Sequence, residues 1–308
     1  METKRRTPSD LLDALVDRGV TGVMETKDGF EILVRDEATE RSVTEAMRSD
    51  RALDAVRAAN PSTRVIGELE ALAFTPVDGF SPDLRGGVSI GSRHGASGTL
   101  GFVARRPLTR DVGPDYLLTS EHVLRYLDEA AGPDACVVQP GATSTSSAAA
   151  TAGWVVAKLA GFGNIQLQPF PNTMDAAVAA VIGGARPASW RQVHGVNLVG
   201  QKLLANLTIG MQVTKYGAAS GTTSGTIVSL NGDAIWKYGR GRTARFAPMI
   251  VADLKACPGD SGAPVVFTDA TGAYAVGIVS AAAVFNGNYR TFITPLDPIT
   301  NTLGYVVA

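Results

Sequence analysis

The chain has few of the residues on which several common protein chemistries depend. Its 308 residues include only two cysteines and three histidines, and its formal net charge is −1. A charge so close to zero gives no electrostatic basis for binding nucleic acid or an anionic membrane surface, so we expect neither partner. No apolar run reaches the ~18 residues that a transmembrane helix requires. The basic residues near the N-terminus precede no apolar stretch, so we also expect no signal peptide.

Glycine and apolar residues are abundant instead. The 34 glycines and an apolar content of 45% predict more than one compact unit with many tight turns. Residues 1–80 are rich in charge and helical patterns, whereas the rest of the chain is rich in glycine, threonine and valine with short strand-like runs. This change in composition predicts a boundary within 78–87. The sequence therefore predicts a small α+β accessory module followed by a mainly β region.

The predicted module, residues 1–80, has three strands and two or three helices packed beside the mainly β region. Ser9 is placed to cap a helix whose leucines share one face. The glycine that ends Lys27–Gly29 predicts a hairpin turn. A longer helical stretch covers 38–59, and 63–74 predicts a returning strand. The module carries no catalytic constellation, so it is either a structural brace or a docking site for a regulatory protein partner.

The strongest chemical motif is Gly-Asp-Ser-Gly at 259–262, which an apolar strand-like run follows. Gly259 and Gly262 lack Cβ atoms, so a substrate carbonyl can closely approach the backbone amides beside Ser261. The same composition is also typical of an ordinary turn. A nucleophilic serine needs a histidine that accepts its proton and a carboxylate that orients the histidine. The interpretation of Ser261 as a nucleophile therefore depends on finding both partners.

The shortage of histidine makes the search for a base short. His94 lies in a Gly/Ser-rich stretch that predicts an exposed hairpin loop, and His194 lies between apolar segments, where we expect a structural or surface role. His122 differs because a short apolar run, Tyr116–Leu118, ends in small polar residues just before it. This pattern indicates a buried strand that places His122 near its end. His122 is therefore the predicted general base.

A strand that ends in Leu-Thr-x-x-His and a later Gly-Asp-Ser-Gly together resemble the chymotrypsin-like serine proteases. In that family the triad has the chain order His, Asp, Ser, so the resemblance implies an acid between His122 and Ser261. Asp175 leads directly into the apolar run 176–181, which is how the family places its acid at the start of a strand. That run could also be helical with Asp175 as its N-cap, and this alternative stays open.

The rival acids in this interval fit the family's triad position less well. Asp128 and Glu129 belong to a predicted helical turn after the histidine, and Asp134 belongs to a Gly-Pro loop. Asp233 belongs to a predicted Asn-Gly-Asp hairpin turn. Asp253 and Asp260 lie too close in sequence to the nucleophile to occupy the family's triad position. In chain order the rivals are Asp128, Glu129, Asp134, Asp233, Asp253 and Asp260.

Further motifs extend the resemblance over most of residues 86–308. The run 274–282 resembles the strand that follows the family's nucleophile, and 213–230 resembles the opening hairpin of its second barrel. Shorter matches are similar to the bacterial and plant branch related to the NARROW LEAF proteases. These matches lie at 86–91, 97–103, 121–124 and 172–177.

The fold that the resemblance implies is a mainly β, chymotrypsin-like double β-barrel preceded by the α+β module. The polar low-complexity run 143–151 predicts a mobile loop within the first barrel. The implied divisions are 86–185 for the first barrel, 186–208 for the inter-barrel connection and 209–308 for the second barrel.

The cysteines depart from the pattern of secreted members of the family. Val123 follows the predicted base where secreted members usually have a cysteine, and the usual partner of Cys257 is missing after the 274–282 run. Cys136 is expected to belong to the first barrel. We therefore expect two buried thiols without a disulfide, which is consistent with a reducing compartment and a cytoplasmic location.

The resemblance also implies a mechanism, which is peptide-bond hydrolysis through an acyl-enzyme on Ser261. His122 acts as general base and then general acid, and Asp175 orients the imidazole and stabilises the imidazolium. The backbone amides of Gly259 and Ser261 form the oxyanion hole, and no metal or organic cofactor takes part. The substrate is a peptide or protein. Its implied contacts are Lys255, Ala256, Ser280, Ala281 and Ala282.

Two properties of the implied protease differ from trypsin. Lys255 stands where trypsins have an acid, so we predict that the chain does not favour cleavage after Lys or Arg. Lys255 could favour acidic side chains, or it could reach solvent and leave an alanine-walled pocket that accepts apolar ones. Cleavage after Arg85 would free Gly86, not the branched apolar N-terminus that trypsins bury beside Asp260. We therefore expect a chain that is active without this step or is switched by its module or a partner.

Two other functions are compatible with the same residues. The first is an interaction protein with a protease fold and an unused triad, although a binding module has no evident need for all three residues. The second is an esterase that uses the same triad. Labelling of Ser261 by a fluorophosphonate and substrate profiling discriminate among the three functions.

Overall fold

The computed structural model of the chain describes residues 7–71, 81–92, 97–107, 114–125, 135–141, 155–167, 169–238, 242–285 and 287–308. His94, the predicted loop over 143–151 and three of the rival acids, Asp128, Glu129 and Asp134, lie outside the described residues. Within these ranges, no helix combines the length and the apolar character needed to cross a membrane.

The N-terminal part combines helices with a small sheet, as predicted. Leu11, Leu12 and Leu15 are fully buried in one apolar cluster with Val23 and Ile32. Strands β1, β2 and β3 form its sheet, in which β1 and β2 are antiparallel and β2 and β3 parallel. The elements are α1 (Pro8–Leu15), β1 (Val20–Thr26), β2 (Gly29–Val34), α2 (Glu37–Ser49), α3 (Asp54–Arg57), β3 (Ser62–Val65) and β4 (Glu70–Ala71).

Helix α1 is capped by Thr7, so the prediction of Ser9 as its cap is wrong. The Thr7 hydroxyl accepts a hydrogen bond from the Asp10 amide, and the Asp10 carboxylate accepts one from the Thr7 amide. Pro8 follows the cap at the first helical position, where a missing amide hydrogen loses no helical bond. The Ser9 hydroxyl instead donates to Asp233 at 2.6 Å. Ser9 thus links the helix to a distant strand.

A seven-stranded antiparallel sheet makes up the first barrel. Its strand order is β7-β6-β10-β11-β13-β9-β8. Because only Leu100 and Gly101 separate β7 from β8, one bent chain segment pairs with both ends of the sheet and closes it. The elements of this part are β5 (Leu84–Gly86), β6 (Ser89–Ser92), β7 (Ser97–Thr99), β8 (Phe102–Ala104), β9 (Tyr116–Thr119), α4 (Glu121–Leu124), β10 (Cys136–Val138), β11 (Val155–Phe162), β12 (Pro171–Asn172) and β13 (Ala177–Val181).

A second barrel follows a connecting hairpin, β14 (Ala188–Val193) and β15 (Val196–Gln201). Six antiparallel strands have the order β18-β21-β20-β19-β16-β17, and pairing of β17 with β18 closes the ring. Its strands are β16 (Gln212–Gly217), β17 (Gly221–Lys237), β18 (Thr243–Ala252), β19 (Pro264–Asp269), β20 (Gly272–Phe285) and β21 (Asn288–Pro295). The chain ends in two short helical segments, α5 (Leu296–Pro298) and the π-helical Ile299–Leu303.

The N-terminal part shares a sheet with the second barrel. Strand β1 pairs antiparallel with the end of β17, with Val23 opposite Asp233. Asp233 is therefore a strand residue, and its prediction as a hairpin turn is wrong. Its buried carboxylate accepts two hydrogen bonds from Arg245, at 2.9 and 2.7 Å, and these contacts together with the strand pairing outweigh the local turn preference of Asn-Gly-Asp. The hydrogen bonds to Asp233 raise the pKa of Arg245, although its burial acts in the opposite direction.

Candidate active site

Antiparallel pairing brings His122 and Asp175 together. Strand β9 ends at Thr119, three residues before His122, and β13 begins at Ala177, two residues after Asp175. Thr119 and Ala177 are directly opposite each other in the sheet. The end of one strand therefore lies beside the start of the other. Asp175 leads into a strand, so the alternative in which it caps a helix over 176–181 is wrong.

The Asp175 carboxylate nevertheless accepts hydrogen bonds at a helix N-terminus, that of the short helix α4. Its Oδ1 accepts hydrogen bonds from the amides of Glu121 and His122, at 2.9 and 3.3 Å. These are amides that the helix itself leaves without a partner. The Ser120 hydroxyl, at the N-cap position, donates instead to the Val279 carbonyl of the second barrel at 2.8 Å. The carboxylate is thus fixed to the same turn of backbone that carries His122.

Ser261 lies in the loop between β18 and β19, and the first barrel holds this loop in place. The Thr99 amide donates to the Ser261 carbonyl at 2.8 Å, and the Thr99 hydroxyl donates to the Gly259 carbonyl at 2.8 Å. Gly262 has a φ of +83°, and a Cβ there would collide with the Thr119 hydroxyl. A glycine at 262 therefore lets the two barrels come together at the nucleophile.

The three predicted catalytic residues form one hydrogen-bonded chain. His122 Nε2 is 2.6 Å from Ser261 Oγ, and His122 Nδ1 is 2.7 Å from Asp175 Oδ2. With Nδ1 protonated and donating to the carboxylate, Nε2 is left as an acceptor for the serine proton. All three residues have a relative exposure of 0%. The Ser261 hydroxyl is thus within hydrogen-bond distance of a buried imidazole that a buried carboxylate orients.

The backbone on both sides of Asp260 supplies two amides next to the nucleophile. Gly259 has a φ of +100°, and among the described residues neither its amide nor that of Ser261 donates a hydrogen bond to the protein. Buried amides without a partner are costly, so such a pair is suited to bind an oxygen that a ligand brings. These are the two amides predicted to form the oxyanion hole.

A buried ion pair fixes Asp260, the residue before the nucleophile. The Lys215 ammonium lies 3.0 Å from Asp260 Oδ2, and neither side chain is exposed. The same carboxylate accepts hydrogen bonds from the amides of Ala219, Ser220 and Cys257. Burial lowers the pKa of Lys215, although Asp260 acts in the opposite direction. Asp260 thus has an internal ammonium as counterion, which the sequence analysis did not identify.

A tyrosine and a second carboxyl group also contact the triad acid. The Tyr238 hydroxyl donates to Asp175 Oδ1 at 2.9 Å and also contacts Glu121 Oε2. Ser280, by contrast, pairs its hydroxyl with that of Thr294 at 2.8 Å, and Thr294 in turn accepts from the Asp175 amide. The side-chain hydroxyl that reaches the Asp175 carboxylate is therefore that of Tyr238, not that of Ser280.

The residues predicted to contact substrate lie in different environments. Lys255 is exposed, which corresponds to the alternative in which it reaches solvent. Ala256 and Ala282 are buried in the apolar cluster that contains Val279, whereas Ala281 belongs to the cluster of Trp236. Ala281 and Ala282 separate in this way because successive side chains of a strand point to opposite faces.

Strand β4 of the N-terminal part covers one edge of β20 close to the catalytic residues. Ala71 is opposite Ala281 and Glu70 is opposite Ala282, in antiparallel pairing. The other edge of β20 at these positions pairs with β21. Because β4 runs antiparallel to β20, its chain direction leads toward Ser280 and the catalytic loop. The strand edge at two of the predicted substrate contacts, Ala281 and Ala282, is thus occupied by the chain itself.

Two barrels with a His, Asp and Ser constellation between them define a class of two-barrel proteins with a catalytic-type triad. Comparison with known families identifies the family within this class. The sequence profile of the family described as Trypsin matches residues 111–303. The match covers more than half of the chain, and the chain belongs to the trypsin family.

Solved structures of similar fold agree with this assignment. Chymotrypsin of Cellulomonas bogoriensis is 20% identical, with a TM-score of 0.51 over 73% of this chain and 98% of that one. A serine protease described as specific for glutamic acid is also 20% identical, with a TM-score of 0.51 over 73% of this chain and 100% of that one. At this identity the likeness shows the two-barrel fold alone.

Proposed function

We propose that the chain is a serine endopeptidase whose nucleophile is Ser261. The observation that supports this most strongly is the continuous set of contacts from Asp175 through His122 to the Ser261 hydroxyl. Membership of the trypsin family adds to it, as do the amides of Gly259 and Ser261, which donate to no acceptor in the described part of the chain. A protein that only bound partners would have no need for this arrangement of proton acceptor and oxyanion donors.

The proposed reaction follows from these contacts. Ser261 Oγ forms a bond with the carbonyl carbon of the substrate while its proton passes to His122 Nε2. The oxyanion accepts hydrogen bonds from the Gly259 and Ser261 amides, each of which is worth about 2.7–4 kcal/mol of the barrier. The C–N bond then breaks, and His122 returns the proton to the leaving amine. A water molecule attacks the acyl-enzyme in the same way and regenerates Ser261.

Fluorophosphonate labelling tests the nucleophile directly. We expect the wild-type chain to be labelled and Ser261→Ala to be unlabelled. The matched control is Ser224→Ala, which removes an exposed hydroxyl from the same barrel and should label at the wild-type rate. If folded wild-type protein is not labelled, with or without disruption of β4, the chain is an interaction protein. If it is labelled but turns over esters and no peptide, it is an esterase.

We further propose that the N-terminal part gates the site, so that it is a regulator and not only a structural brace. Pairing of β4 with β20 places this chain's own backbone on the edge that an extended peptide substrate would use. In addition, Leu69 and Ile66 belong to the same buried apolar cluster as Tyr238, whose hydroxyl contacts Asp175. Displacement of this segment by a protein partner would open the edge and alter the setting of the triad acid.

Glu70→Pro tests the gate. Lys237 of β17 donates to the Leu69 carbonyl, so the neighbouring Glu70 amide faces β20, and proline at 70 removes its hydrogen. Loss of one backbone hydrogen bond, about 0.5–1.5 kcal/mol, predicts roughly a 2- to 12-fold increase in the labelling rate and in kcat/KM for short peptides. Glu70→Ala keeps the amide and serves as the control. A Glu70→Pro chain that is less stable but no faster would show that β4 is only a brace.

The exposed position of Lys255 favours an apolar first specificity pocket. Its backbone carbonyl accepts a hydrogen bond from Thr223 at 2.7 Å, while its side chain lies at the surface. The buried methyl groups of Ala256 and Ala282 are then left to contact the substrate side chain. We propose cleavage after apolar residues. Cleavage of a peptide library mainly after Lys, Arg, Asp or Glu would contradict this.

We also propose that the chain works in a reducing compartment, the cytoplasm. Cys136 and Cys257, the two cysteines of the sequence, are each half-buried and are not joined in a disulfide. Cell fractionation tests the location. The narrower resemblance to the NARROW LEAF-related branch stays a prediction, and its test is an alignment of homologues that includes 86–91 and 172–177.

A further inference from the structure

The hydroxyl of Tyr238 lies between two buried carboxyl groups. It contacts Oδ1 of Asp175 at 2.9 Å and Oε2 of Glu121. Tyr238 is completely buried, and Glu121 has a relative exposure of 1%. The contacts are therefore formed away from bulk water, and the protons that they require must come from these groups themselves.

A proton count shows which group must supply the second proton. A phenol has one proton, so it can donate to only one of the two carboxyl groups. Asp175 Oδ1 already accepts from the amides of Glu121 and His122, and Oδ2 accepts from the His122 ring, so Asp175 is an acceptor throughout. The phenol proton then goes to Asp175. The contact between the Tyr238 oxygen and Glu121 Oε2 then has no proton from the phenol, so it needs a proton on Glu121.

The surroundings of Glu121 favour this protonated form. Burial raises the pKa of the Glu121 carboxyl, and the negative charge of Asp175 raises it further. Tyr238, Arg125 and His122 act in the opposite direction, and the Arg125 guanidinium is 3.5 Å from the other carboxyl oxygen. The net effect is upward because removal of a carboxylate from water is the largest contribution.

We propose that Glu121 and Tyr238 are positioning residues that act on the triad through Asp175. Glu121, as a neutral acid, donates its proton to the Tyr238 oxygen, and Tyr238 donates its own to Asp175 Oδ1. The buried site then holds one negative charge, that of Asp175, instead of two. Each oxygen of the Asp175 carboxylate has a side-chain donor, Tyr238 for Oδ1 and His122 for Oδ2. The catalytic consequence rests on the proposed protease function, whereas the protonation of Glu121 can be measured without it.

The effect on His122 follows from the number of donors to Asp175. A carboxylate that loses a donor is a better acceptor and a stronger counterion, so it stabilises the imidazolium. Tyr238→Phe keeps the ring and removes this donor, and we expect the acid limb of the kcat/KM profile to move up by about one pH unit. Glu121→Gln keeps a neutral donor to the Tyr238 oxygen, and we expect its acid limb to coincide with that of wild type.

Two measurements on the full chain test the proposal. In Ser261→Ala protein with isotope-labelled glutamate, infrared spectra at neutral pH should contain a protonated-carboxyl band that Glu121→Gln removes. In the same background, NMR titration of the His122 ring should reproduce the upward shift in Tyr238→Phe. Neither readout needs activity, so a catalytically silent chain does not affect them. Absence of the band, or equal stability losses in both variants without a shift of His122, would overturn the proposal.

Discussion

The buried ion pair beside the nucleophile leads to the sharpest quantitative prediction. Lys215→Met removes the ammonium and leaves the Asp260 carboxylate buried without a counterion. Removal of one partner from a buried pair typically costs about 3–5 kcal/mol. Asp260 keeps three backbone amides and the Ser220 hydroxyl as donors, so we expect a loss near the lower limit, about 3 kcal/mol in the free energy of unfolding.

The same substitution should impair the site more than it impairs the fold. Asp260 lies between the two amides of the proposed oxyanion hole, and misplacement of one oxyanion donor typically costs about 10²–10³ in kcat. We therefore expect fluorophosphonate labelling of Lys215→Met to slow by a factor of about 10² under conditions in which the chain is still folded. Urea unfolding and labelling kinetics measure the two effects separately.

A matched double variant completes this test. In Lys215→Met/Asp260→Asn both charges are absent, so most of the lost stability should return, while labelling stays slow because the carboxylate that fixes the loop is missing. The reasoning is refuted if Lys215→Met unfolds within about 0.5 kcal/mol of wild type and is labelled at the wild-type rate. It is also refuted if the double variant is as unstable as the sum of the two single ones.

Two further outcomes are expected. Arg245→Met leaves Asp233 buried without its ion-pair partner and should lower the free energy of unfolding by about 3–5 kcal/mol. Limited proteolysis, which should cleave the N-terminal part faster, measures this effect. Gly262→Ala should give no labelled protein and should lower the melting temperature of any folded fraction, because its positive φ and the contact with Thr119 both exclude a Cβ.

The sequence was sufficient to predict which residues the two barrels bring together. His122 follows a strand and Ser261 lies in a glycine-flanked turn, so local patterns indicated these two positions. Asp175 was indicated by the resemblance to the chymotrypsin-like family, which places its acid at the start of a strand. Lys215 had a weaker local signal. It shares a face of β16 with Val213 and Gly217 at a period of two, and all three are buried.

Other contacts had no local signal. Tyr238 and Glu121 are 117 residues apart and belong to different barrels, so only packing of one barrel against the other brings them together. The pairing of β1 with β17 is likewise a property of the whole fold, because a strand edge leaves no pattern that identifies its partner. Asp233 illustrates the opposite case. The sequence Asn-Gly-Asp favours a turn, but contacts of Asp233 with Arg245 and Ser9 outweigh this local preference, and the residue lies in a strand.

The sheet shared by β1 and β17 has a consequence for the order in which the chain is made. Strand β1 leaves the ribosome well before its partner in β17, because Asp233 lies far later in the sequence than Val23, which it faces in the sheet. During synthesis the β1 edge is therefore exposed and unpaired, as is typical of aggregation-prone strands. The final pairing of β1 has to wait for β17 of the second barrel, although β1 is translated earlier.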